Sequence, residues 1–340
     1  MAEEPASRRP QDSNFYQQRL KAWQPILTPK WVVISFVVVG VVFLPLGFVL
    51  KIASDSVVEF KVQYDGSGAS VGNGGVMGDC RLTNTSVSNT TCQIAIEVDE
   101  DMDAPVYVYY ELDNFYQNHR RYVKSRSDEQ LKAGDDFPSG STSDCDPLRR
   151  TVVNGADKVL WPCGLIANSM FNDTFVLTSG GTLDEQNIAW SSDRKKKFNN
   201  VPTSVKNANR AGYQFLDEIY PGVLPPNDNG VENEHFIVWM RTAALPKFRK
   251  LYGRIDADIP KGSRITFDVV SRFHVNSFDG KKSLVVSTTS WLGGKNPFLG
   301  IAYIVVGALC LVLALFFGLK QKFGGRSLGD TNLLVWNSGR

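Results

Sequence analysis

Histidine is scarce in this 340-residue chain, at three residues, and its five cysteines form no CxxC pair. A tetrahedral zinc site needs such ligands in clusters, so structural zinc is disfavoured. An excess of one charge is also missing: 37 basic against 35 acidic residues leave a formal net charge of +2. That balance gives neither the basic footprint of a nucleic-acid binder nor an acidic solvating tail. The G-x-S-x-G strings at 68–72 and 325–329 lie in the glycine-rich loop and in the C-terminal tail, not on the strand-to-helix turn of a nucleophile elbow that could pair with His119, and His235 and His274 read as hydrogen-bonded scaffold residues, so no nucleophile–base constellation is expected. The glycine-rich run 65–78 lacks the closing Gly-Lys-Ser/Thr of a phosphate loop and reads as a plain loop. The acidic clusters Asp99–Asp103 and Asp135-Asp136 lack the central glycine and distal glutamate of an EF-hand and read as solvated turns. The basic run Arg194–Lys197 reads as a solvated loop. No catalytic residue, metal or cofactor is expected.

Long apolar runs, in contrast, are present. Residues 31–50 and 296–319 carry no charge, and roughly 20 apolar residues in a helix cross a ~30 Å hydrocarbon core. A soluble cytoplasmic enzyme is thereby excluded. The first run follows a polar stretch of 30 residues, is too long for a signal-peptide core and has no small-residue cleavage site after it, so it reads as a retained anchor. Arg8, Arg9, Arg19, Lys21 and Lys30 precede it, and Lys320, Lys322 and Arg326 follow the second run. The positive-inside rule then predicts cytosolic tails at 1–30 and 320–340, spans at 31–50 and 296–319, and an exoplasmic or lumenal ectodomain at 51–295. Neither span holds an ionisable residue that would mark an ion path. Gly300 and Gly307 lie on a small-residue stripe that permits close approach to another membrane helix.

Cysteine and sequon placement agree with that topology. Cys80, Cys92, Cys145 and Cys163 fall in the ectodomain and Cys310 inside the second span, the pattern of two disulfides in an oxidising compartment. Three connectivities are possible. The local one, Cys80–Cys92 with Cys145–Cys163, is preferred because it closes short loops, each worth about 3 kcal/mol. Asn84, Asn89 and Asn172 head N-x-S/T sequons, all in the ectodomain, and are expected to carry glycans.

Alternating or β-branched apolar runs predict strands at 57–64, 94–98, 106–110, 174–177, 236–240, 264–270 and 284–288. Short helices are predicted at 113–126 and 246–252. The expected architecture is an α+β membrane protein: two transmembrane helices flanking a large, β-rich, antiparallel ectodomain that is disulfide-stapled and glycosylated. Trp23, Arg241, Trp291 and Phe298 are candidate partner contacts, since aromatic and arginine anchors dominate interface energetics. Trp291 and Phe298 are equally suited to a membrane-interface belt. Trp239, placed in a strand, reads as core.

Five strings then stand out together: FYQQRLKAWQPILTP (15–29), NFYQNHRRYVKSR (114–126), PCGLIANSMFNDT (162–174), FIVWMRTAALPKFRKLYGRI (236–255) and STTSWLGGKNPFLGIAYIVVG (287–307). They resemble the cell-division-control-50 / ligand-effect-modulator family, accessory (β) subunits of type IV P-type ATPase phospholipid flippases. The resemblance covers roughly residues 14–319, and FGGRSLGDTNLLVW (323–336) looks like fungal members. It implies a non-catalytic partner in a one-to-one complex with the catalytic ATPase. The complex would need this subunit for folding, exit from the endoplasmic reticulum, and movement of glycerophospholipid to the cytosolic leaflet. ATP and Mg would belong to the catalytic partner. The resemblance also implies Cys80–Cys92 and Cys145–Cys163 bridges, a glycan on Asn172, and residence between endoplasmic reticulum, Golgi, endosome and plasma membrane. The competing classes are a two-span ion-channel subunit, disfavoured by the uncharged spans, and a membrane-anchored ectoenzyme, disfavoured by the missing nucleophile–base pair.

Overall fold

The computed structural model describes residues 12–22, 28–69, 75–83, 89–138, 140–224 and 230–325. In chain order the elements begin α1 (Pro29–Asp55), β1 (Glu59–Gly66), β2 (Val76–Met77), β3 (Thr90–Glu97), β4 (Val106–Asp113), α2 (Arg120–Lys124) and α3 (Asp128–Ala133). They continue with β5 (Arg150–Val153), β6 (Ala156–Trp161), β7 (Thr174–Ser179), β8 (Leu183–Asp184), α4 (Ser191–Lys196), α5 (Thr203–Asn209), β9 (Tyr213–Phe215) and α6 (Leu216–Ile219). The last are α7 (Glu234–Met240), β10 (Phe248–Ile255), β11 (Arg264–Ser271), β12 (Lys281–Ser287) and α8 (Phe298–Gly324). Two compact units result, one containing the two long helices and the other spanning Ala53–Asn296.

In the first unit, α1 and α8 are each 27 residues long, about 40 Å at 1.5 Å per residue and enough to cross a membrane. Both extend beyond the uncharged windows, taking in Lys51 and Asp55 at one end and Lys320 and Lys322 at the other. Glycine makes their seam. A Cβ on Gly40 would lie 2.5 Å from Leu311, one on Gly47 2.8 Å from Ile304, one on Gly300 2.7 Å from the Lys51 backbone nitrogen, and one on Gly307 3.0 Å from that of Leu44. Removing side chains there lets backbones approach, the device membrane helices use where no hydrophobic effect drives association. Phe43 packs edge-on against Tyr303, with centroids 4.9 Å apart. Val38, Val41, Leu309 and Leu315 point outward, as lipid-facing positions should.

The second unit is built on two antiparallel sheets. One runs β1-β12-β4-β10-β8 and the other β2-β3-β11-β7. Alternation sends Val106, Val108, Tyr110 and Leu112 of β4 and Leu284 and Val286 of β12 into one core with Ile94, Ile96, Phe267 and Val269 of the second sheet. At ~25 cal/mol per Å² this shared apolar burial is the main term holding the head together. The outward face of the first sheet is polar. There Glu111 is held by Lys61 and by Arg249 (2.8 Å), and Arg249 makes a bidentate pair with Glu59 at 2.6 and 2.8 Å. A third, small sheet, β5-β6-β9, pairs β6 with β9 in parallel, the one departure from antiparallel pairing among the described strands. Its own cluster packs Trp161, Phe215, Val201 and Ala133 around Phe137.

Three local expectations are corrected. Residues 236–240 are not a strand: α7 starts behind Asn233, whose side chain accepts from the His235 and Phe236 backbone N–H groups at 3.0 and 3.3 Å, an N-cap that fixes helix over strand. Residues 246–252 are not a helix: from Phe248 onward they belong to β10, which pairs with β4. The helix predicted at 113–126 shrinks to α2, because Asp113 still belongs to β4.

Candidate functional site

The head is stapled twice. Cys80 joins Cys92 with Cα atoms 5.2 Å apart, and Cys145 joins Cys163 at 5.6 Å, both inside the range a disulfide spans. The first bridge ties the segment before β3 to the strand itself. The second closes a loop of sequence separation 18 around a small cluster with Leu160. Cys310 is unpaired and buried in α8.

The most constrained chemistry in the head is a charge cluster that sequence reasoning did not single out. Lys282 of β12 is fully buried, and its ammonium lies 2.8 Å from Asp173 Oδ2 and 3.1 Å from Asp65 Oδ2. It also donates to Ser271 Oγ at 2.7 Å and the Phe273 carbonyl at 2.8 Å. Asp173 in turn accepts from the Tyr64 hydroxyl at 2.8 Å and from the Arg272 and Phe273 backbone N–H groups at 2.5 and 2.6 Å. Burial, with the Asp173 carboxylate beside it, raises the Tyr64 phenol well above its ordinary pKa, so that hydroxyl remains a donor. The signal was legible in principle: residues 282, 284 and 286 share one strand face, and Leu284 and Val286 are core, so a lysine at 282 had to point inward.

This cluster pins β7, and with it the sequon at 172–174. Asp173 is buried, Thr174 Oγ1 accepts from the Arg272 guanidinium at 3.1 Å, and Asn172, just before them, is half-buried. Asn89 is exposed immediately before β3, whereas Asn84 lies outside the described residues.

A second buried ion pair supports the small sheet. Lys206 of α5 and Asp217 of α6 are 2.5 Å apart with both side chains buried, and the ammonium lies 5.6 Å from the centre of the Phe215 ring. Lys250 is the third lysine buried among the described residues, where it has no carboxylate partner. It donates to the carbonyls of Val238, at 3.1 Å, and Arg241 at the end of α7. Burial, helped by the nearby Arg241 charge, lowers its pKa to about 8.

The candidate contact residues divide by environment. Trp239 is core, its indole N–H donating to the Ile166 carbonyl at 2.8 Å. Arg241 is half exposed, lies over Trp190 at 5.2 Å and pairs with Asp193 at 2.6 Å. It borders a cavity of about 440 Å³ together with Arg126, Asp128, Lys197 and Met240. Trp291 and Phe298 are exposed, and Trp23 lies outside the described residues. Gly300 and Gly307 face α1 of the same chain, so the close approach they permit is taken within the chain.

Other candidates resolve as scaffold. Arg194–Lys197 is largely helix α4 rather than loop, with Arg194 paired to Glu234 at 2.7 Å and Lys197 to Asp193 at 2.8 Å. His235 Nε2 meets Glu185 at 2.8 Å, and His119 is exposed at the start of α2. Asp99, Glu100, Asp101 and Asp103 are exposed, as are Asp135 and Asp136. Among the described residues no group of three or more His, Cys, Asp or Glu side chains is arranged to hold a metal. What the site offers chemically is rigidity and surface.

Comparison with known proteins then supplies the context. The profile of the LEM3 (ligand-effect modulator 3) / CDC50 family matches residues 50–327. The chain is 44% identical over 340 residues to "ALA-interacting subunit 3" of Arabidopsis thaliana, covering 97% of this chain and 91% of that protein. It is 39% identical over 336 residues to "Cell cycle control protein 50A" of Bos taurus, covering 90% and 87%. It is 36% identical over 367 residues to "Phospholipid-transporting ATPase accessory subunit CRF1" of Saccharomyces cerevisiae, covering 96% and 89%. A fungal origin, read from the string at 323–336, is not supported: plant and animal relatives match at least as well as the yeast one, and most of that string lies outside the described residues. On the extent of these matches, the chain belongs to the LEM3/CDC50 family.

Proposed function

We propose that this chain is the non-catalytic accessory subunit of a phospholipid-transporting P-type ATPase of type IV. The observation that carries the reading is near full-length similarity to proteins named as an ATPase accessory subunit and as ALA-interacting subunits. The architecture suits the role. A large head braced by two bridges and by buried ion pairs presents a fixed surface of standard interface size over the short outer loops of a many-helix partner. In this reading both tails are cytosolic, Asn89 and Asn172 carry glycans on the exoplasmic side, and ATP and Mg are handled by the partner. The complex is one-to-one, leaves the endoplasmic reticulum only when assembled, and works in Golgi, endosome or plasma membrane.

Purification of the tagged full-length chain in mild detergent tests the proposal. A P-type ATPase should co-purify at about one copy per copy of this chain, and lipid-stimulated ATPase activity should depend on both. Recovery of homo-oligomers alone, or ATP hydrolysis by this polypeptide without a partner, would overturn it.

A further inference from the structure

The segment between β12 and α8 is a closed, pinned turn. Its base is pinned to the last turn of α1 and to Val58 just after it. The Thr288 N–H donates to the Val58 carbonyl at 3.0 Å, the Val58 N–H donates to Thr288 Oγ1 at 3.0 Å, and the Asn296 N–H donates to Ser54 Oγ at 2.9 Å. The chain therefore enters and leaves the head at one place. Between these pins Ser290 and Gly293 exchange two backbone hydrogen bonds of 2.9 Å, closing a tight turn, and the Leu292 N–H is held by Ser290 Oγ at 3.3 Å. Gly293 sits at φ +109°, a conformation that side chains oppose, so glycine is needed to form the turn. The turn spends this order on displaying apolar surface: Trp291 is 75% and Leu292 36% exposed. Trp190, also exposed, is covered on one face by Arg241; for Trp291 no ring or hydrogen-bond partner is found among the described residues. Lys295 is the only charge between Ser283 and Lys320.

We propose that this turn is a membrane-surface foot that places Trp291 and Leu292 in the headgroup layer beside the point where both spans emerge. Chain continuity selects lipid as the occupant. Phe298 opens α8 seven positions after Trp291, a reach of at most about 25 Å, so the indole stays close to the interface once α8 spans the membrane. An amphipathic indole and a flanking lysine are the pair that settles at headgroup depth. The assignment rests on the two-span topology and is independent of the accessory-subunit reading.

The test uses the full-length chain, alone and with any ATPase that co-purifies, in nanodiscs of phosphatidylcholine with or without bromines placed high on the acyl chains. Tryptophan emission is recorded for the wild type and for Trp291→Phe, and the difference isolates Trp291 among seven tryptophans. Trp31, inside α1 and exposed on it, serves as the lipid-facing control. The expected result is at least about twofold quenching of the Trp291 component by bromolipid, in the chain alone and in the complex. Leu292→Asp should reduce that quenching while both disulfides still form on a non-reducing gel. A Trp291 component that bromolipid leaves unchanged, with solvent-like emission, overturns the proposal. So does a component that is shielded but unquenched in the complex, because a protein surface then covers the turn.

Discussion

The Lys282 and Lys206 sites bury the same ammonium in two ways. Lys282 has two carboxylates, a hydroxyl and a carbonyl around it, so it has one more anion than its charge requires. Lys206 has a single carboxylate, Asp217, and the face of Phe215. A buried charge is tolerated only when compensated, and removing one partner of a buried pair commonly costs 3–5 kcal/mol because the other is stranded. The two sites should therefore respond oppositely to loss of one acid: the single pair fails, whereas the cluster loses only its surplus.

The largest expected effect is Lys282→Met, which leaves Asp65 and Asp173 facing each other without a cation in the core of the head. A loss of about 3–5 kcal/mol is expected, measured as the drop in thermal midpoint of the detergent-solubilised chain. Cys145→Ser follows, at about 2–5 kcal/mol, and should show as retention in the endoplasmic reticulum and loss of surface delivery. Asp217→Asn comes next: it keeps the shape, strands Lys206 and should cost about 3 kcal/mol. Asp65→Asn should cost about 1 kcal/mol or less, since Asp173 still balances Lys282. If Asp65→Asn and Asp217→Asn destabilise equally, the contrast between the sites is wrong.

A pH-dependent effect sharpens the comparison with the third buried lysine, whose hydrogen-bond partners among the described residues are the carbonyls of Val238 and Arg241. The pKa of Lys250, at about 8, lies below the usual lysine value. Between pH ~8 and ~10.5 the unfolded chain therefore holds more protons than the folded one, and stability rises with pH across that window. Below pH 8 both states are protonated and the burial cost is present in full. Lys250→Met should remove this rise, at most about 3 kcal/mol. At neutral pH the relief of the buried charge is offset by about 1–2 kcal/mol from orphaning the carbonyls of Val238 and Arg241. The difference between the wild-type and variant stability curves from pH 7.5 to 10 measures both.

These same lysines explain what the sequence concealed. Charge-free runs announced the spans, and alternation announced β1, β3, β4, β7, β11 and β12. The string from Phe248 to Tyr252 did not read as a strand because its inward set includes Lys250, and a buried lysine breaks the apolar-in, polar-out pattern. A register shift between Leu251 and Gly253 obscures the period further. Residues 236–240 failed for the opposite reason. Five consecutive apolar residues carry no period, and only the cap at Asn233 distinguishes helix from strand there. Of the candidate contacts, burial of Trp239 followed from its apolar neighbours. The partnering of Lys282, Asp65 and Asp173 depends on long-range pairing, Asp65 opposite Lys282 across β1 and β12, which no local pattern encodes.

The glycine seam of the two spans carries a different consequence. Where Gly40, Gly47, Gly300 and Gly307 meet the opposite helix, the fit is made by hydrogen atoms in place of side chains. An added methyl at any of the four pushes the helices apart, whereas outward positions such as Val38 or Leu315 only have to remain oily. Tolerance to substitution in these helices should thus run in two lengthwise bands, one nearly free and one nearly forbidden. A saturation library scored for expression would draw the seam directly as a line of four intolerant codons.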